Sequence, residues 1–136
     1  MRKAFVDTNV LLRLLVADDA AQHRACVALL QRARKESFAL CVLPVALLEV
    51  VWVLERVYRY PRAGVREIVE AILNTPEFEV ENEASFRKAL SAYEETNVKF
   101  ADALMAHWGI DSGLTTVYTF DEKDFRKIPG LDVRRP

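Results

Sequence analysis

At 136 residues, 51% hydrophobic and 29% charged, the chain has the size and balance of one globular domain, and a single domain over residues 1–136 is expected. A formal net charge of −1 argues against a protein that grips nucleic acid by global charge alone. Two cysteines, Cys26 and Cys41, are too few for a disulfide framework; both read as reduced core residues, which points to a cytoplasmic setting.

Lys3 to Val6 is short and apolar and stops at Asp7-Thr8-Asn9, after which Val10, Leu11, Leu14 and Leu15 recur at helical spacing. A strand therefore feeds a helix. Asp7 arrives before an apolar leader could form, so no secretory signal is expected. Asp18-Asp19 marks a second helix start, and Ala25, Cys26, Val27, Leu29 and Leu30 make that helix amphipathic to about Lys35, with His23 on its exposed face. Phe38 to Leu43 reads as a buried strand, and Pro44 suits the first turn of the next helix. From Val45 to about Tyr58 that helix is apolar on nearly every face, which predicts deep burial. Pro44 and Glu49 break the apolar run, so no membrane span is expected.

Pro61 opens a further helix with Val65, Ile68, Val69 and Ile72 inward. Around it, Arg56, Arg59, Arg62 and Arg66 form a basic run that reads as a solvated helix junction, with phosphate contact as the alternative. Phe78 to Val80 is a strand, and Ala84 to Glu95 a helix with Phe86, Leu90 and Tyr93 inward. Phe100 to Ile110 is a helix ending near Gly109, Leu114 to Thr119 a strand, and Leu131 to Val133 a last edge strand. Strands alternating with helices, with no hairpin signal, predict an α/β fold: three layers, α/β/α, around a central mainly parallel sheet.

Four acids sit where acids are hard to explain structurally: Asp7 after the first strand, Glu49 within PVALLEVVWVL, Asp102 within FADALMA and Asp121 after VYTF. Each has a plain reading. Asp7 can cap a helix, Glu49 can pair with Arg56 or sit on an exposed helix edge, Asp102 suits the positive end of a helix, and Asp121 and Asp124 fit a turn. Asp7 and Asp121 nevertheless fall at the carboxyl ends of strands, the edge where open α/β sheets bind ligands. One shared pocket would explain all four, because carboxylates packed together repel unless a cation lies between them. Oxygen-only ligands suit Mg²⁺ or Mn²⁺ rather than zinc, with Asn9 and Thr119 placed to orient the carboxylates. His23 and His107 make no zinc site, since His107 lies five residues from Asp102 and on another side of its helix. Metal-assisted cleavage of a phosphodiester is the leading reading. With the four acids neutralised by metal, the remaining charge is weakly basic, which leaves an RNA substrate open.

The segments VDTNVLLRLLVADD, LLEVVWVL, FADALMA and TFDEKDF, in this order and over essentially the whole chain, resemble the PIN-domain ribonucleases, specifically VapC-type toxins of toxin–antitoxin pairs. The resemblance places the family's acids on Asp7, Glu49, Asp102 and Asp121, its less regular extra acid on Asp124, and its supporting polar positions on Thr8, Asn9 and Thr119. It implies an endoribonuclease using Mg²⁺, with Mn²⁺ possible, an RNA substrate, a cognate antitoxin and a homodimer. Val98-Lys99 before FADA and Met105-Ala106-His107 after it depart from the usual pattern and bear on substrate detail. Two rival readings stay open. A catalytically silent PIN-fold module could bind RNA or protein without turnover. An aspartyl phosphotransfer enzyme would use a strand-terminal Asp as nucleophile, but Asn9 stands where a phosphatase of that kind wants a second Asp, and Lys123 and Lys127 are badly placed for a receiver domain.

Overall fold

Parallel strand pairing, with its need for long return connections, organises the amino-terminal part of the molecule. The computed structural model describes residues 2–136, and the chain divides into two units, one ending at Glu81 and one running from Asn82 to Pro136. In the first unit β1 (Lys3–Phe5), β2 (Ala39–Val42) and β3 (Phe78–Val80) form a parallel ladder in that order. Phe5 lies opposite Cys41, and Val42 opposite Val80, so the carboxyl ends of the strands share one edge. Each parallel return requires a crossover. Helices α1 (Thr8–Leu15) and α2 (Ala20–Glu36) make the first, and α3 (Pro44–Arg56) and α4 (Arg62–Leu73) make the second.

Local chemistry sets the boundaries. The Asp19 carboxylate accepts a 3.0 Å hydrogen bond from the Gln22 N–H and so caps α2. Ser37 ends that helix in the left-handed region at φ 55°. Pro44 occupies the first turn of α3, where its missing N–H costs nothing. Leu11 of α1, Leu40 of β2, Leu47, Val50 and Leu54 of α3, and Val65, Val69 and Ile72 of α4 are fully buried and form the core of this unit.

Several expectations change here. β1 stops at Phe5, whose ring is 71% exposed, and burial falls instead on Val6. Helix α3 is not buried on every side: Val45, Glu49, Trp52 and Arg56 recur at spacings of three and four and share an exposed face. Glu49 therefore faces water on an exposed helix edge, the plain reading of its position. His23 is half-buried rather than exposed, with Nδ1 3.0 Å from the Arg13 carbonyl oxygen. Cys26 is buried and Cys41 half-buried, and both are free thiols. In the basic run, Arg56 and Arg59 are exposed while Arg66 pairs with Glu70 at 2.7 Å.

Arg34 of α2 donates from Nε, at 2.9 Å, and from Nη2 to the same oxygen of Glu77, whose side chain is well covered. This pairing holds the Glu77 carboxyl below its ordinary range. A depressed carboxyl contributes stability above its unfolded pKa, and that contribution is lost as pH falls through the folded value. Arg34→Ala is therefore expected to cost about 1 kcal/mol at pH 7. Urea midpoints of the two proteins, compared from pH 7 to pH 3, should converge at the acid end.

In the second unit, α5 (Glu83–Thr96) and α6 (Phe100–Asp111) pack together, with Phe86, Leu90 and Tyr93 fully buried as their spacing predicts. The Phe100 ring stands 6.3 Å from Phe86 and 5.8 Å from Tyr93. The Asp111 carboxylate ties the pair by accepting from Ser85 Oγ at 2.6 Å and Lys88 Nζ at 2.7 Å. Gly109 does not end α6. The helix runs on to Asp111 and closes through Gly113 at φ 82°, where the Leu114 N–H donates to the Gly109 carbonyl at 2.8 Å. The next strand, β4 (Thr116–Tyr118), is accordingly shorter than expected and pairs in parallel with β5 (Asp132–Arg134). Between them α7 (Glu122–Phe125) makes a single helical turn where the composition suggests an open turn. Every strand pairing among the described residues is parallel. No helix among them is long and apolar enough to cross a membrane.

Candidate metal centre

The second unit brings three carboxylates together. Asp102 stands in the first turn of α6, a helix whose Ala103 and Ala106 are buried. Asp121 occupies the N-cap position of α7 and Asp124 lies three residues on, the spacing that places two side chains on one helical face. One carboxylate oxygen from each of Asp102, Asp121 and Asp124 lies within 4.8 Å of the other two. Asp102 and Asp124 are half-buried and Asp121 is exposed.

The electrostatics follow from that crowding. Burial, and then the neighbouring carboxylates of Asp121 and Asp124, push the Asp102 carboxyl above its ordinary range, with Lys99 acting weakly the other way. Lys127 Nζ lies 3.4 Å from Asp124, whereas Glu122 is engaged with Arg126 at 3.2 Å and Arg135 at 3.7 Å. Hard, anionic oxygen donors at this separation suit an oxygen-seeking divalent cation such as Mg²⁺ or Mn²⁺. The residues present thus fit such an ion.

Thr119 supports the cluster from below. Its hydroxyl accepts a 2.9 Å hydrogen bond from the Asp121 N–H, and its own N–H donates to the Arg134 carbonyl at 2.9 Å. It orients the backbone that carries Asp121 rather than a carboxylate directly. Thr119→Val, which keeps the shape and removes the acceptor, is expected to cost about 1 kcal/mol. Thr119→Ser should restore most of it, as read by thermal melting.

The remaining acids of the sequence reading, Asp7 and Glu49, belong to the first unit. Asp7 follows the carboxyl end of β1 at the N-cap position of α1, yet its side chain makes no capping hydrogen bond. The carboxylate is exposed, so the plain capping role is not realised. Thr8 is buried and Asn9 exposed in the first turn that follows. Glu49 lies on the exposed face of α3. His107 is half-buried, and burial pushes its imidazole below the usual range. Asp124, a turn residue on its plain reading and an extra acid on the family resemblance, has a place in the cluster. The signal available was its three-residue offset from Asp121 on what proves to be a helical turn.

The chain is 32% identical over 82 residues to a VapC ribonuclease of Aquifex aeolicus (strain VF5), a match covering 60% of this chain and 60% of that protein. It thus spans about three-fifths of that relative's length. The family model for the PIN domain matches residues 4–131. The three-layer α/β/α class read from alternating strands and helices is in keeping with that match, and the chain belongs to the PIN domain family.

Proposed function

We propose that this protein is a metal-dependent endoribonuclease that hydrolyses RNA phosphodiesters and is held in check by a cognate antitoxin. The observation that carries the reading is the convergence of Asp102, Asp121 and Asp124 on a span of 4.8 Å. Family membership and the likeness to a VapC ribonuclease support the substrate class and the toxin role. The catalytic and metal-holding residues are Asp7, Glu49, Asp102 and Asp121, with Thr8, Asn9, Thr119 and Asp124 in support. Asp7 and Glu49 enter on the motifs they occupy and on their exposed carboxylates. The remaining parts of the reading are a single PIN domain over residues 1–136, a homodimer and a cytoplasmic location.

When bound, Mg²⁺ or Mn²⁺ supplies polarisation of the phosphodiester and lowers the pKa of water at the site. The chain's own residues do the rest. Asp7 and Asp102 would hold the cation with help from Glu49 and Asp121, and Asp124 would add negative charge beside Asp102 and Asp121. Thr119 fixes the backbone that carries Asp121 through its 2.9 Å hydrogen bond, which limits where that carboxylate can reach before substrate arrives. Glu49 or Asp121, both exposed, accepts the proton of the attacking water. Attack in line with the departing oxygen leaves a 5′-phosphate and a 3′-hydroxyl.

The test is cleavage of end-labelled transfer and ribosomal RNA by the purified, antitoxin-free protein with Mn²⁺, with Mg²⁺ and with EDTA, beside Asp7→Asn. Discrete metal-dependent cuts with 5′-phosphate ends, lost in the variant, are expected. RNA binding without cutting under any metal condition would instead favour a silent binding module, and an acid-labile aspartyl phosphate would favour phosphotransfer.

A further inference from the structure

Next to the acid cluster the chain exposes two aromatic rings that the core does not use. Phe120, the residue before Asp121, is 73% exposed, and Tyr118 at the end of β4 is 64% exposed. Leaving two rings in water within three residues of a carboxylate cluster is unfavourable for the folded chain alone. Both have cationic neighbours. The Arg135 guanidinium sits 5.6 Å from the centre of the Phe120 ring, and that guanidinium also pairs with Glu122 at 3.7 Å. Tyr118 registers opposite Arg134 across the β4–β5 pair, and Arg134 is fixed by Asp132 at 2.7 Å. Lys123 and Arg126 are also exposed on the adjoining helical turn.

Exposed rings interleaved with cations are what unpaired nucleotides require. The π-face stacks on a base and the cation meets the flanking phosphate, without reading sequence. A protein partner would prefer a contiguous apolar patch with its charges at the rim. Here a guanidinium lies over the ring itself, and the rings adjoin a chain position assigned to phosphodiester cleavage. We propose that Phe120 and Tyr118, with Arg135 and Arg134, form a stacking site for the unpaired bases flanking the scissile phosphate. The site acts in substrate positioning, and the proposal rests on the nuclease reading above.

The experiment measures binding by anisotropy in EDTA, where cleavage is silent. The probes are a labelled unstructured RNA oligonucleotide carrying 2-aminopurine and the same strand in a duplex. Phe120→Ala is expected to weaken single-strand binding roughly tenfold or more, the range for loss of one stacked base, and to leave duplex binding unchanged. The 2-aminopurine quenching should fall with it. Phe120→Trp should retain both signals, whereas Phe120→Leu, apolar but not aromatic, should not. Single-strand binding by Phe120→Leu equal to wild type would overturn the proposal. So would wild-type RNA binding by Phe120→Ala together with a shift in its sedimentation, which would make the rings a protein interface. Cleavage of the same single-stranded oligonucleotide by the wild type with Mn²⁺ separates this proposal from the one beneath it. Metal-dependent cutting by the wild type, together with weakened single-strand binding by Phe120→Ala in EDTA, supports both. Absence of cutting by the wild type while Phe120→Ala still loses single-strand binding counts against the nuclease alone.

Discussion

Asp102→Asn is expected to abolish metal-dependent RNA cleavage while leaving the metal-free protein at least as stable as wild type. The loss should be at least about a hundredfold in rate, since stabilisation of transition-state charge by a bound metal is worth several kcal/mol. The stability side follows from the sign of the electrostatics. Burial and the carboxylates of Asp121 and Asp124 raise the folded-state pKa of Asp102. A raised carboxyl destabilises the fold above that pKa, and the penalty disappears as pH falls toward the unfolded value. An uncharged amide of the same shape removes the penalty at neutral pH. Added Mn²⁺ should raise the melting temperature of the wild type and not of the variant, by ordinary linkage. Thermal melts with and without Mn²⁺, run beside the cleavage assay, check both halves. A variant that cuts normally would remove Asp102 from the site. One that melts well below wild type without metal would make Asp102 a structural residue.

The largest stability effect is expected at Phe86. Its side chain is fully buried between α5 and α6, with ring centres 6.3 Å from Phe100 and 6.2 Å from Trp108. Phe86→Ala removes both ring contacts and leaves a cavity that the surrounding helices close only in part. The cost should be about 3–5 kcal/mol, a large share of the roughly 5–15 kcal/mol that holds a domain of this size together. Phe100 opens the helix that carries Asp102 two residues later, so cleavage should fall along with the folded fraction. Phe86→Leu, which keeps much of the volume, should cost clearly less. Urea unfolding measures the series, and a Phe86→Ala cost under about 1 kcal/mol would contradict this account of the α5–α6 packing.

What the sequence reveals depends on how far each feature is periodic. The inward face of α5 is legible because Phe86, Leu90 and Tyr93 repeat at helical spacing within a helix of fourteen residues. The strand Phe78–Val80 is legible because turn residues bound it on both sides. Helix α7 is not legible, since four residues carry no period, and TFDEKD has the composition of a turn as much as of a helix start. That short turn is what brings Asp124 beside Asp121. Helix α3 misleads for another reason. Apolar composition shows that a face can be buried, not that anything in the chain covers it, so Trp52 reads equally as core or interface, and Val45 and Trp52 are 66% and 56% exposed. The end of α6, expected at Ile110 near Gly109, falls one residue later at Asp111, because Gly109 is tolerated inside a helix while Gly113 supplies the positive φ that stops it. The acid positions could be picked out because an acid among alanines or after a strand is locally unusual. Which acids meet is set by three-dimensional packing, and only the packing shows Asp102, Asp121 and Asp124 within reach of one cation.

The central claim is that this cluster holds a divalent cation used in cutting RNA. Its most direct test is an Mn²⁺ titration followed by electron paramagnetic resonance, with a non-hydrolysable RNA analogue present to complete the metal's shell. The wild type should deplete the free-ion signal at a defined stoichiometry, and Asp102→Asn combined with Asp121→Asn should abolish that uptake in a folded protein. Equal Mn²⁺ uptake by the wild type and the double variant would contradict it.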